Sequence, residues 1–399
     1  MNARRRVLVP LLLVLCALAA AELGARALVT RFTWRPLPPF GRGAVQREWL
    51  ERSERELAGG EPPPGYSQFD AVLGWTTKSG YASPDGAVHV NAQGLRSTRE
   101  FAASAPPGER RVIVCGESFT FCEEVTDEEA WPARLEALVP DLAVLNYGVG
   151  GYGTDQALLR VTKEARGPAE ALLVGLMLEN IGRNVNRYRP LWYPRAQPAA
   201  KPRYVLSANG LELVAQPFAS RAEFVAAVRS DDVFARLAEH EHWSADGLAD
   251  WLAGSAVARL LAGQRAYAER ELERLWTDTE GEPFRTTLAL LEAFRGVAQD
   301  LGGARLVVLV FPTRSDLEAR LANGARYWST LLDALEARGI DFLDLTDPLA
   351  AAGRASGTVG ALYSESHFSP LGNDVLARAI VARLAEERDD AGGDDAGGR

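Results

Sequence analysis

A short apolar run that ends at a glycine and a serine constrains this chain more than any other feature. Residues 112–115 (VIVC) precede Gly116, and Ser118 follows one residue past the predicted turn. In a parallel α/β sheet, ligands bind beyond the carboxyl ends of the strands, where main-chain N–H groups converge. A serine there can act as a nucleophile if a base reaches it, although serine is also a common helix N-cap. His367, one of four histidines, precedes the last predicted helix and is the candidate base.

Predicted strands and helices alternate from residue 111 onward. The strands are predicted over 111–115, 143–146, 171–178, 305–310 and 341–345, and the helices over 130–138, 155–165, 327–338 and 372–386. Near-continuous apolar strands separated by helices indicate a parallel sheet that is covered on both faces. Between residues 220 and 297, apolar residues spaced as in Leu248, Trp251 and Leu252 predict a helical insertion.

The remaining segments differ from this main domain, predicted over 111–387, in composition. Residues 31–65 read as a Pro-, Arg- and Gly-rich linker with one short charged helix near 48–57, and residues 66–110 as a small β lead-in. The tail over 388–399, rich in Asp and Gly, is predicted to be disordered.

The N-terminus carries an export signal. Three arginines, residues 4–6, precede the apolar run from Val7 to Ala21. Residues 1–30 therefore read either as a cleaved secretory signal peptide or as a signal anchor whose arginines stay in the cytoplasm. In both cases we expect the folded part to work outside the cytoplasm, secreted or anchored in the inner membrane and facing the periplasm.

Charge and cysteine content exclude several other classes of protein. The formal net charge of −9 argues against a nucleic-acid partner, because phosphate attraction requires the opposite sign. The cysteines, Cys16, Cys115 and Cys122, form neither a zinc pattern nor a disulfide framework. We expect no metal and no cofactor.

Two further polar clusters follow the second and third predicted strands of the main domain. The first contains Gly148, Gly150 and Gly153 in the spacing of a dinucleotide-binding loop, but Asp155 in the first helical turn would repel a pyrophosphate. Its glycines also allow main-chain N–H groups, such as that of Gly151, to approach an oxyanion. The second cluster begins at Asn180, whose side-chain amide can donate to the same oxyanion.

The order of these clusters resembles that of the SGNH (GDSL-type) hydrolase family. Its first block, a serine after the first strand, is similar to Gly116-Glu117-Ser118, with Glu117 in place of the usual Asp. The resemblance implies Ser118 as nucleophile, Gly151 and Asn180 as oxyanion donors and His367 as base. It also implies a three-layer α/β/α flavodoxin-like sandwich around a central parallel sheet. The lead-in resembles that of membrane-tethered bacterial members, some of which transfer acetyl groups on envelope polysaccharides.

The third member of the catalytic triad is the main departure from the family. The family has an acidic residue three positions before the histidine, and here Ser364 stands there, with Glu365 one position out of register. Three outcomes are open. Glu365 replaces the missing carboxylate, a main-chain carbonyl orients a Ser-His dyad, or the enzyme is degenerate. We expect a dyad or Glu365, and an esterase acting on an ester such as an O-acetyl group of envelope carbohydrate. The alternatives are an O-acyltransferase and a non-catalytic polysaccharide-binding protein.

Overall fold

The computed structural model describes residues 3–32, 44–59, 65–193, 196–243 and 254–393. The chain forms two compact units. The larger unit comprises residues 63–185, 201–221 and 272–399, and the smaller unit comprises residues 1–62, 186–200 and 222–271.

A five-stranded parallel sheet forms the centre of the larger unit. The strands of this unit, in chain order, are β1 (Ser67–Asp70), β2 (Gly74–Thr77), β3 (Arg110–Cys115), β4 (Leu142–Asn146), β5 (Ala171–Met177), β6 (Arg203–Ser207), β7 (Gly210–Val214), β8 (Arg305–Phe311) and β9 (Asp341–Asp344). The central sheet has the order β4-β3-β5-β8-β9, and β1-β2 and β6-β7 are separate antiparallel hairpins. Numbered within the sheet, this order is 2-1-3-4-5, which is that of flavodoxin-like folds.

Helices cover the sheet on both faces. The helices of the larger unit are α3 (Ser118–Phe121), α4 (Trp131–Leu138), α5 (Thr154–Glu164), α6 (Asn180–Arg183), α11 (Leu272–Thr277), α12 (Glu282–Asp300), α13 (Arg314–Asn323), α14 (Ser329–Ala337), α15 (Thr346–Ala355) and α16 (Pro370–Gly393), with a 3-10 helix at Val359–Leu362. One layer contains α4, α13, α15 and α16, and the other contains α5, α11, α12 and α14. The predicted three-layer α/β/α sandwich is therefore confirmed.

Strand periodicity explains why both faces are covered. Val112 and Val114 pack in one apolar cluster with residues of the first layer, such as Leu349 and Leu376. Ile113 lies between them on the strand and is equally buried, so it points to the opposite face. Because no face of β3 is polar, the strand is stable only with helices on both sides.

The structure differs from the sequence predictions in three places. The last part of the segment predicted as an insertion, 220–297, belongs to α12 (Glu282–Asp300), which packs on β8 and is part of the sandwich. The hairpin β6-β7 and the helices α13 and α15 were not predicted, since their apolar patterns are short. The tail expected to be disordered continues α16 as far as Gly393, because extending a helix that is already nucleated costs little.

The smaller unit is helical. Its helices are α1 (Ala3–Phe32), α2 (Ala44–Leu57), α7 (Arg189–Trp192), α8 (Arg221–Ser230), α9 (Asp232–Leu237) and α10 (Ala256–Glu269). Within α1, residues 8–27 are long and apolar enough to cross a membrane, and they are almost entirely exposed. Much of the predicted linker, residues 33–43 and 60–64, lies outside the described residues.

Candidate active site

Two of the predicted site residues lie where the strand order of the central sheet reverses. In a 2-1-3-4-5 sheet this point lies between the first and third strands, and ligands bind there at the carboxyl ends. Here those strands are β3 and β5, which pair directly. Ser118 begins α3 just after β3, and Asn180 begins α6 just after β5. The topology therefore brings these two residues to one edge.

Ser118 sits in a tight strand-to-helix turn. Ser118 is buried, with 7% of its surface exposed. Helix α3 is a single turn that ends at Cys122, which has the left-handed conformation with φ 63°. Within the described residues, the main-chain N–H of Ser118 makes no hydrogen bond, as expected for the first residue of a helix.

Glu117 and Asn180 form a buried polar pair beside the serine. Both side chains are inaccessible to solvent, and Nδ2 of Asn180 donates to Oε2 of Glu117 at 3.3 Å. Burial raises the pKa of Glu117 above its ordinary value, although Arg183 partly opposes this effect. Oε1 of Glu117 and Oδ1 of Asn180 have no hydrogen-bond partner within the described residues.

The glycine-rich turn after β4 packs directly on α3. A Cβ atom on Gly148 would lie 2.5 Å from the main-chain nitrogen of Phe121, so only glycine fits there. In α5, Asp155 is buried and forms an ion pair with Lys201. The close packing of Gly148 and the carboxylate of Asp155 argue against a pyrophosphate site at this turn.

Gly151 lies in the same turn after β4. It has φ 77°, and its main-chain N–H makes no hydrogen bond to any described residue. Three residues later, Oγ1 of Thr154 lies 3.5 Å from Nδ2 of Asn180. Both predicted oxyanion donors are therefore found at the edge that carries Ser118, while their role in catalysis stays a prediction.

His367 lies at this edge as well. Its ring contacts that of Phe119, the residue after Ser118, with 5.1 Å between the ring centroids. Ser118 and His367 are therefore on the same side of the sheet. Among the described contacts, however, no hydrogen bond joins their side chains. Nε2 of His367 instead faces Oε2 of Glu123 at 3.4 Å.

The carboxylate that orients His367 comes from Glu124. Nδ1 of His367 lies 2.8 Å from Oε1 of Glu124. The same carboxylate accepts hydrogen bonds from the hydroxyl of Ser366 at 2.7 Å and from the main-chain N–H groups of Glu365 and Ser366 at 2.9 and 3.0 Å. Partial burial opposes ionisation, but the hydrogen bonds from Ser366 and His367 prevail and lower the pKa of Glu124 to about 2.

These contacts correct the expectation for Glu365. Its side chain is exposed, and the hydrogen bond it makes to Glu124 uses its main-chain N–H. An ionised Glu124 can only accept, so Nδ1 of His367 is the donor in this hydrogen bond. Glu124 takes the position that sequence reasoning had assigned to Glu365 or to a carbonyl group.

Two residues of the β lead-in hold the loop that carries Glu123 and Glu124. Nη1 of Arg96 donates to the carbonyl groups of Phe121 and Cys122, and Nη2 donates to that of Val125 at 2.7 Å. The hydroxyl of Tyr66 donates to Oε1 of Glu123.

Sequence reasoning assigned no role at the site to four residues: Tyr66, Arg96, Glu123 and Glu124. The available signal was the pair of acidic residues 123–124, which interrupts an otherwise apolar segment shortly after Ser118. Within the described part of the chain, no cluster of His, Cys, Asp and Glu is suited to hold a metal ion.

Comparison with solved structures finds distant similarity to hydrolases. An α/β hydrolase from the metagenome of Lake Arreo, Spain, is 12% identical, with 69% of this chain and 95% of that one covered and a TM-score of 0.37. A member of the lipolytic G-D-S-L protein family from Veillonella parvula is 11% identical, with 68% and 97% covered and a TM-score of 0.34.

A third similar structure is an acetylxylan esterase from Geobacillus stearothermophilus. It is 12% identical, with 69% of this chain and 94% of that one covered and a TM-score of 0.35. No protein-family model matches the sequence, and a comparison with curated proteins finds no match. These similarities are too distant to transfer a residue role or a substrate to this chain.

Proposed function

We propose that the protein is a serine ester hydrolase that works through an acyl-enzyme. The observation that carries the proposal is a histidine oriented by an ionised carboxylate and packed against the residue that follows Ser118. This is the arrangement required to activate a hydroxyl nucleophile, whatever the fold. That the described contacts include no hydrogen bond between His367 and Ser118 is compatible with it, because catalytic hydrogen bonds often tighten only when substrate binds.

In the proposed reaction, Nε2 of His367 takes the proton of Ser118 as its Oγ attacks the ester carbonyl. The N–H groups of Ser118 and Gly151 and the amide of Asn180 stabilise the oxyanion. His367 then protonates the leaving alkoxide, which departs as the alcohol and leaves the acyl group on Ser118. Water attacks this ester in turn, releasing the carboxylic acid and restoring the serine hydroxyl.

For the substrate we propose an ester of envelope carbohydrate, with an O-acetyl group as the acyl part. The support is the long apolar N-terminal helix, which suits a protein anchored at the membrane, together with the resemblance of the lead-in to membrane-tethered bacterial acetyl-transferring proteins. Release of acetate from an O-acetylated polysaccharide, absent with Ser118→Ala, tests this choice.

Hydrolysis of p-nitrophenyl acetate tests the reaction itself. We expect the Ser118→Ala and His367→Ala variants to lose turnover, and a fluorophosphonate to label the wild type at Ser118 but neither variant. Equal rates for the wild type and Ser118→Ala refute the proposal. They favour the alternative of a protein that only binds polysaccharide.

A further inference from the structure

We propose that Glu123, held by Tyr66, positions the hydroxyl group that attacks the acyl-enzyme. The inference rests on the proposed function and concerns its second half-reaction, in which water or another hydroxyl compound takes the acyl group from Ser118. Glu124 already orients His367, so Glu123 is not needed for that purpose, and the inference gives it a role.

The first observation is where Glu123 points. Its Oε2 atom lies 3.4 Å from Nε2 of His367, the nitrogen that acts as the base in the proposed reaction, while Glu124 holds the opposite ring nitrogen. The side chain of Glu123 is 32% exposed, so an incoming molecule can reach it. Water bound beside Oε2 and Nε2 can donate one hydrogen bond to each atom, and a polyol can do so with two neighbouring hydroxyl groups.

The second observation is that Glu123 is fixed in place. Its Oε1 atom accepts a hydrogen bond from Tyr66, whose ring stacks on Phe121 with 3.9 Å between centroids. Desolvation, together with the charge of Glu123, raises the pKa of Tyr66 well above its ordinary value, so the phenol stays protonated and donates. The main-chain N–H of Gly150 in turn donates to the Tyr66 oxygen at 3.1 Å.

The third observation connects Glu123 to the oxyanion turn. A Cβ atom on Gly150 would lie 2.1 Å from the Tyr66 hydroxyl and 2.2 Å from Oε1 of Glu123, so both pack directly on the residue before Gly151. Glu123 therefore lies between the base and one predicted oxyanion donor. The acyl carbon that is attacked in the second half-reaction has to lie between the same two groups.

The chemical step balances without any further reactant. The attacking oxygen forms a bond to the acyl carbon as His367 takes its proton, and Glu123 accepts a hydrogen bond from a second proton of water or from a neighbouring hydroxyl of a polyol. The bond from the acyl carbon to Ser118 then breaks, and His367 returns the proton to the serine oxygen.

Burst kinetics with p-nitrophenyl acetate separate the two half-reactions. In Glu123→Gln we expect the first release of p-nitrophenol to keep its wild-type rate, while the steady-state rate falls by about 10–100-fold, the contribution typical of proton-positioning groups. Acetyl-enzyme should then accumulate on Ser118, detectable by mass spectrometry. Tyr66→Phe keeps the ring and removes the hydroxyl that donates to Glu123. We expect it to lower the steady-state rate by a smaller factor.

Rescue of turnover by hydroxylamine distinguishes a positioning role of Glu123 from a merely structural one. As a strong neutral nucleophile it needs little activation, so it should restore turnover in Glu123→Gln. Glu128→Gln changes an exposed carboxylate of the same segment and should behave as the wild type.

A fall of both phases by the same factor, no change in either, or no rescue by hydroxylamine overturns the inference and leaves Glu123 as an ion-pair partner of His367. A wild type that neither turns over nor reacts with a fluorophosphonate overturns the proposed function as well.

Discussion

Glu124 reaches His367 because its main chain adopts an uncommon conformation. Its φ is 70°, in the left-handed region that residues other than glycine seldom occupy. The cost of this conformation, about 1–3 kcal/mol, is offset by the hydrogen bonds that its carboxylate accepts from the loop of His367. Strain at a single residue is thus tied to the orientation of the proposed base.

Replacing Glu124 tests whether it is the third member of the triad. We expect Glu124→Gln to lower kcat on p-nitrophenyl acetate by about 10³–10⁴-fold, because loss of the orienting carboxylate has cost about 10⁴ in a serine protease. Glu365→Gln, which alters an exposed side chain, should change kcat less than threefold or so. A larger loss of kcat in Glu365→Gln than in Glu124→Gln would identify Glu365 as the third member of the triad.

Glu117 makes the free energy of unfolding depend on pH. Its pKa is raised in the folded state, mainly by burial. The folded state therefore binds more protons than the unfolded state above the ordinary pKa of the group. The free energy of unfolding then falls as pH rises from that value toward the raised pKa.

Glu117→Gln should remove this contribution while keeping an oxygen that accepts from Asn180. Relative to the wild type, the variant should gain stability between about pH 5 and about pH 8, because only the wild type must bury or neutralise a charge there. Urea unfolding at both values measures the change. A difference between the two proteins that is independent of pH would contradict the raised pKa.

At the scale of elements, the β lead-in contacts the candidate active site. The guanidinium of Arg96 is buried, stacks on the ring of Phe121 at 4.9 Å and pairs with Asp127 at 3.2 Å. The indole of Trp75 donates to the carbonyl of Gly150 at 2.9 Å. The lead-in thus contacts both the loop that carries Glu124 and the turn that carries Gly151.

Arg96→Ala should lower both stability and activity. Three main-chain carbonyls lose the guanidinium, and Asp127 loses its charge partner although His89 still contacts it at 2.7 Å. Breaking a buried charge pair typically costs about 3–5 kcal/mol of the free energy of unfolding. Arg96→Lys retains the charge but cannot reach all the carbonyls, so it should fold and still show a lower kcat.

Arg99→Ala is the matched control for Arg96. The Arg99 side chain is 44% exposed and pairs with Glu136, so its loss should cost less than about 1 kcal/mol. Urea unfolding and esterase rates of Arg96→Ala, Arg96→Lys and Arg99→Ala test whether the lead-in positions Glu124. Wild-type kcat in Arg96→Lys would show that the lead-in does not position Glu124.

At the scale of the whole molecule, we expect α1 to determine where the proposed hydrolase works. Its apolar segment, residues 8–27, has the length of a membrane span, and arginines 4–6 precede it. Near the other end, Glu22 accepts a hydrogen bond from the main-chain N–H of Ala256 at 2.8 Å, at the start of α10.

Membrane fractionation distinguishes an anchor from a cleaved signal. If α1 is an anchor, the full-length protein should stay with membranes after an alkaline carbonate wash and keep its N-terminal sequence. A protease added outside the inner membrane should then digest the folded part. A mature protein that begins near residue 22 in the soluble fraction would instead establish a signal peptide.

Local sequence patterns were sufficient for the sheet and for the order of its polar clusters. The buried strands β3, β5 and β8 each carry an uninterrupted apolar run, and Ser118, Gly151 and Asn180 lie close behind their strands. Each of these signals is contained in a few neighbouring residues. The strand order was expected only from the family resemblance, because the general rules for doubly wound sheets allow more than one order.

Only the tertiary structure decided which carboxylate meets His367. Glu124 is 243 residues away from it in the chain, and the contact depends on a left-handed loop that Arg96 holds through main-chain carbonyls. No periodicity encodes such a contact, because it arises from backbone geometry and from a buried cation in a third segment. Glu365 is closer in sequence, but its side chain points to solvent.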